Sequence, residues 1–150
     1  MDLFRARAGW SLLVVAMLTV GCATTPQSTT PSTVLSAPAE GHGRIVFYRP
    51  SGVFGYAMRA DIFLDGKKVG KSAPGTKFYV DTTPGIHRVT VPTILYSGES
   101  TLDVSVAEGQ VIYVRTSIGG SAIGGRTNIE LVGPPQGTED TASLDLVASE

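Results

Sequence analysis

Apolar and polar residues alternate with a period of two over much of the stretch from Arg44 to Val132. That period belongs to strands that bury one face. Residues 60–64 place Ile62 and Leu64 on one side and Asp61 and Phe63 on the other. Residues 77–81 point Phe78 and Val80 one way, and residues 86–91 align His87, Val89 and Val91. Residues 101–106 turn Leu102, Val104 and Val106 inward, and residues 127–132 do the same with Ile129 and Leu131. Residues 44–49 are β-branched and aromatic enough for a strand buried on at least one face. Residues 111–115 are apolar on both faces, which predicts a central strand. Residues 67–70 carry lysines suited to an exposed edge.

The punctuation agrees with the alternation. Asp65-Gly66 lies between alternating runs and predicts a tight hairpin, because a type I′ turn needs positive φ at both central residues. Pro84-Gly85 and residues 107–110 give two more tight turns. Pro50 ends the first strand, since proline cannot donate to a ladder. Longer loops are expected at residues 51–58, 71–75, 92–98 and, as a glycine-rich flexible loop, 117–125. Seven or eight short strands in roughly ninety residues predict an all-β, antiparallel β-sandwich. Leu64, Val80, Val89, Leu102, Val104 and Ile129 are its expected core. Long and short connections alternate along the chain. If every strand crosses the sandwich once, the long loops gather at one end and the tight turns at the other.

At 150 residues the chain has room for one such domain, placed at 43–133. Residues 1–21 are expected to be a signal peptide: Arg5 and Arg7 precede an apolar run at 11–20 that is too short to span a bilayer. Cys22, the one cysteine, follows directly. Leu18-Thr19-Val20-Gly21-Cys22 resembles a bacterial lipobox, with Thr19 where the motif usually has leucine. The resemblance implies cleavage after Gly21 and acyl chains on Cys22 that hold the protein to a membrane. Ala23 in place of aspartate implies the outer membrane, with the domain in the periplasm. Residues 22–42 are rich in Thr, Ser and Pro and read as a disordered linker. Twenty such residues reach roughly 25 Å on average and about 65 Å at full stretch. Gly133-Pro134-Pro135 ends the domain. Residues 134–150 carry four acids and no base and read as an acidic flexible tail, with a short helix at 141–148.

Charge adds little. Residues 43–133 hold ten Lys and Arg against seven Asp and Glu, too small an excess for nucleic-acid binding. Tyr48-Arg49-Pro50-Ser51-Gly52, Phe54-Gly55, Leu64-Asp65-Gly66-Lys67-Lys68-Val69-Gly70, Phe78-Tyr79-Val80-Asp81, Pro84-Gly85-Ile86-His87 and Gly124-Gly125-Arg126 occur in this order. Together they resemble the domain-of-unknown-function family 2846 (DUF2846), small bacterial lipoproteins and secreted proteins. The central hairpins also resemble the PEGA repeat. Both resemblances imply an immunoglobulin-like β-sandwich, and neither implies an activity.

His87 is the only histidine in the domain. As a general base it needs a hydrogen-bonded partner in reach of a substrate. Its place after Pro84-Gly85 predicts instead that it fixes a turn. Asp61, Asp65 and Asp81 lack the spacing of a calcium loop, and Cys22 and His42 lie outside the domain, so no metal and no cofactor are expected. The glycine-rich run at 119–126 lacks the Gly-Lys-Ser/Thr of a phosphate loop. The strongest lead is the aromatic loop at 52–58, whose alternative role is to fold Phe54 and Tyr56 down as a cap on the open end of the sandwich; at the long-loop end around it, Arg49, Phe54, Tyr56, Tyr96 and Arg126 are the candidate contacts. The expected function is a non-enzymatic envelope lipoprotein that presents these loops to a protein or glycan partner. The alternatives are a cell-wall hydrolase with His87 as base and an inhibitor of an envelope enzyme.

Overall fold

The structure, a computed structural model, describes residues 35–52, 55–94, 97–121 and 124–150. The expected signal peptide, Cys22 and the expected linker up to residue 34 lie outside them, as do Phe54 and Tyr96. The described residues form β1 (Gly43–Arg49), β2 (Ala60–Leu64), β3 (Lys67–Ser72), β4 (Thr76–Thr82), β5 (Gly85–Pro92), β6 (Glu99–Val106), β7 (Val111–Ser121), β8 (Gly124–Val132), α1 (Pro134–Thr141) and β9 (Asp145–Leu146). They make two sheets, ordered β8-β7-β1-β4-β9 and β3-β2-β5-β6.

This is the expected all-β sandwich. Ile45, Phe47, Ile62, Val89, Val91, Val104 and Val114 fill the space between the sheets, each at most 1% exposed. Phe47 stacks on Phe78 across the β1/β4 pair, with ring centroids 5.1 Å apart. Asp65 and Gly66 both take positive φ (50° and 79°), as a type I′ hairpin requires. Two pairings are parallel, β1 with β7 and β4 with β9, so the sandwich is not antiparallel throughout.

Several expectations are corrected. The flexible loop at 117–125 is the tip of a long hairpin, paired as far as Ser121 with Gly124. Gly125 serves close packing: a Cβ there would lie 2.4 Å from Ile118 Cγ2. Leu131, expected inward, is 56% exposed because β8 is an edge strand, while Val80, Leu102 and Ile129 are only partly buried.

The acidic tail is ordered, and its helix comes earlier than expected. Pro135 and Pro134 open α1, where a missing N–H costs nothing. The helix lies on the outer face of the larger sheet over Val46, Tyr48 and Tyr113, and Leu144 joins that second core. A Cβ at Gly137 would lie 2.2 Å from Tyr113 Cγ, so glycine lets the helix approach. Asp145 and Val147 donate main-chain bonds to Gly75 and Lys77, and the Glu150 N–H reaches the Val69 carbonyl. The tail thus runs from the β4 edge of one sheet to the β3 edge of the other.

The linker's last residues are also held. Arg44 donates to Ser36, the Ala39 N–H donates to Asp81, and Leu35 packs on the outer core.

Candidate functional site

Strand direction and pairing fix the two ends of the sandwich. β1 runs antiparallel to β4 and parallel to β7. β2 runs antiparallel to β3 and to β5. Every strand from β1 to β8 therefore crosses once. The tight turns Asp65-Gly66, Thr83-Pro84 and 107–110 share one end.

His87 ties that end together. Its Nδ1–H donates to Asp65 Oδ2 at 2.7 Å and its Nε2–H to the Thr83 carbonyl at 2.8 Å. Both partners accept, so the imidazolium satisfies both at once. The bond to Asp65 raises the His87 pKa above its ordinary value, and the same bond holds the Asp65 carboxyl below its own. The other Asp65 oxygen accepts from the Arg88 N–H. His87 is 8% exposed and fixes two turns, the role its position after Pro84-Gly85 predicts.

Beside it, Arg44 forms a bidentate pair with Asp81 at 2.6 and 2.8 Å and lies 3.8 Å over the Tyr79 ring. Asp81 is held below the carboxylate range chiefly by that guanidinium. Here the linker joins the fold: Gly43 is packed against Val106 and Ala107, and the Gly109 N–H donates to the His42 carbonyl.

At the opposite end the long connections meet. The Gly75 N–H donates to the Arg49 carbonyl, Gly55 packs against Ile118, and Ile94 bridges to Gly125. The candidate residues fare differently there. Arg49 is 4% exposed. Its guanidinium donates to the carbonyls of Gly55 and Met58, each at 2.8 Å, and burial lowers its pKa. Arg49 thus shapes the 55–58 turn from inside. Tyr56 is 69% exposed, and Arg126 is exposed. Phe54 and Tyr96 lie outside the described residues.

A cleft of about 240 Å³ opens at this end between Arg49, Pro50, Ser51 and Gly52 on one side and Arg115, Thr116, Ser117 and Ile118 on the other. Under it, Ser72 and Thr116 share a buried hydroxyl contact at 2.7 Å. The cleft exists because β7 continues six residues beyond Arg115, where its pairing with β1 stops. A proline after a paired strand and glycines within the facing one are the signals of this edge in the sequence.

Several other polar side chains are engaged structurally. Asp61 pairs with Lys68 and Lys71. Tyr48 donates to Asp140 at 2.7 Å, and Arg115 pairs with Glu130 at 2.8 Å. Lys77, 1% exposed, donates to the Thr141 carbonyl at the C-terminal end of α1, where a cation suits the helix dipole. Burial alone lowers its pKa. None of these buried partners was visible in the alternation. Among the described residues, no three His, Cys, Asp or Glu side chains gather as a metal site would need.

Residues 39–133 match the family model described as "Protein of unknown function (DUF2846)". An uncharacterized protein of Haemophilus influenzae (strain ATCC 51907 / DSM 11121 / KW20 / Rd) is 26% identical over 143 residues, covering 93% of this chain and 83% of that protein. No solved structure matches the chain. The matched segment begins in the held part of the linker and ends just past β8, and on it the chain belongs to the DUF2846 family.

Proposed function

We propose that this chain is an envelope lipoprotein, anchored by acyl chains on Cys22, whose β-sandwich is a binding module. Its contact surface is the long-loop end, which meets a protein or glycan partner. The observation that supports this reading is that residues 35–43 join the fold at one end while the long loops gather at the other. The linker is held by Arg44 and Asp81 beside the tight turns. The exposed Tyr56 and Arg126 and the cleft at Ser51 and Ser117 lie at the other end.

The hydrolase alternative loses its base. A general base needs a free lone pair facing a substrate. Both His87 ring nitrogens face acceptors within the fold. The outer membrane remains the proposed location, from the lipobox and Ala23.

Metabolic labelling with a palmitate analogue tests the anchor. The wild type takes the label and Cys22→Ala does not. Equal labelling of both overturns the lipoprotein reading.

A further inference from the structure

We propose that the β7 edge at the long-loop end is a strand-pairing site for an extended, acidic segment of a partner protein, which adds to the larger sheet where β1 leaves it. This deepens the proposed function and rests on the long-loop end being the contact surface.

The register identifies the groups. The Arg44 N–H donates to the Gln110 carbonyl, and β1 pairs with β7 from Arg44↔Val111 to Tyr48↔Arg115. In a parallel ladder alternate residues point their main-chain groups to the same side. Residues 112, 114, 116, 118 and 120 therefore face β1. The odd residues face β8, in step with the closing pair Ser121↔Gly124.

The next β1 donor along this ladder is residue 50, which is proline and has no N–H. β1 ends at Arg49, and Pro50, Ser51 and Gly52 line a cleft against β7 without pairing with it. The Thr116 carbonyl and the main-chain groups of Ile118 and Gly120 then face the vacated lane, and no described residue is paired with them in the sheet. The cleft beside Pro50, Ser51 and Gly52 gives access to that lane.

Two features narrow the occupant. First, an unpaired edge in line with an existing strand selects an extended backbone, as in recognition by strand addition. Gly119 and Gly120 remove side chains that would keep another backbone away. Second, two exposed arginines stand at this end, where Glu99 is the exposed acid. Arg126 pairs in register with Gly119 and faces out beside the edge. Arg59 is exposed near Arg49, which lines the cleft. Neither Arg59 nor Arg126 has an ion-pair partner among the described residues. Arg115 differs, because Glu130 and Asp140 already neutralise it.

The test uses the full-length mature protein and an eight-residue peptide of alternating valine and glutamate as probe. Hydrogen exchange at the Ile118 and Gly120 amides is expected to slow at least tenfold at saturation. The same peptide N-methylated along one edge, and a valine–lysine peptide, should each bind at least tenfold more weakly. Gly120→Pro removes the edge donor but leaves the ladder to β8 intact, so it should keep its melting temperature within a few degrees and lose binding at least tenfold. Unchanged exchange at Ile118 and Gly120, or equal binding by the N-methylated peptide, overturns strand addition. Partner capture that falls with Tyr56→Ala and Arg126→Ala but not with Gly120→Pro also overturns it, and leaves the long-loop end as the contact surface. Capture indifferent to all three changes removes that contact surface as well.

Discussion

His87 and Asp65, twenty-two residues apart, are joined at 2.7 Å and lock the β2–β3 hairpin turn to the β4–β5 connection between the sheets. The pair makes stability depend on pH. His87 has a raised pKa, so its contribution is complete below its ordinary value near 6.5 and is lost as pH rises through the raised value. Asp65 has a depressed pKa, so its contribution is complete above its ordinary value near 3.8 and is lost as pH falls through the depressed value. The pair is therefore strongest between those limits. Asp65 is half exposed, and screening keeps the gain to about 1 kcal/mol. Melting temperatures of the wild type should fall between pH 6 and pH 9, and His87→Gln should flatten that fall. An unchanged slope in the variant would remove the clip.

Arg49 organises the loop end from within. Replacing it with methionine leaves the Gly55 and Met58 carbonyls without their donor and should cost about 2–3 kcal/mol. Lysine should not rescue, because a single ammonium does not reproduce the planar fork that spans both carbonyls. Chemical denaturation of the two variants measures this. Full recovery with lysine would mean that charge alone suffices.

Gly137→Ala should destabilise by about 2 kcal/mol, although alanine ordinarily favours a helix over glycine by about 1 kcal/mol. The reason is the Tyr113 ring, 2.2 Å from the added Cβ. Stabilisation on substitution would show that α1 does not rest on Tyr113.

Ile62→Ala should cost about 3 kcal/mol and Leu131→Ala under about 0.5 kcal/mol. Ile62 is 1% exposed between the sheets, whereas Leu131 stands in solvent on an edge strand. Equal costs would put Leu131 in the core.

The sequence made the faces of β2, β5 and β6 legible because each has one wet side, and alternation reports a wet side. It made the Asp65-Gly66 hairpin legible because few residues accept positive φ. β1 was harder: all seven of its residues are buried, including Arg44 and Arg49, and a pattern that counts arginine as outward cannot foresee the Asp81 carboxylate or the carbonyls of the 55–58 turn. α1 was missed because Pro-Pro-Gln-Gly-Thr-Glu-Asp-Thr has neither strong helix propensity nor a broad apolar stripe, and tertiary packing on Tyr113 makes it. The β7–β8 tip was missed because glycines that fit under a neighbour look the same in a sequence as glycines that loosen a loop. At the candidate site, the end was foreseen from loop lengths. The cleft was not, because it depends on where β1 stops relative to β7.

The central claim is that the long-loop end meets the partner while the tight-turn end faces the anchor. The most direct measurement is photo-crosslinking in intact cells, with a benzophenone amino acid placed singly at Ser51, Tyr56 or Glu108 of the full chain. Ser51 and Tyr56 are exposed at the loop end, and Glu108 is exposed in the 107–110 turn. The account predicts one discrete adduct, shared by the Ser51 and Tyr56 positions and absent from Glu108. An adduct from Glu108 alone, or the same adduct from all three positions, would contradict it.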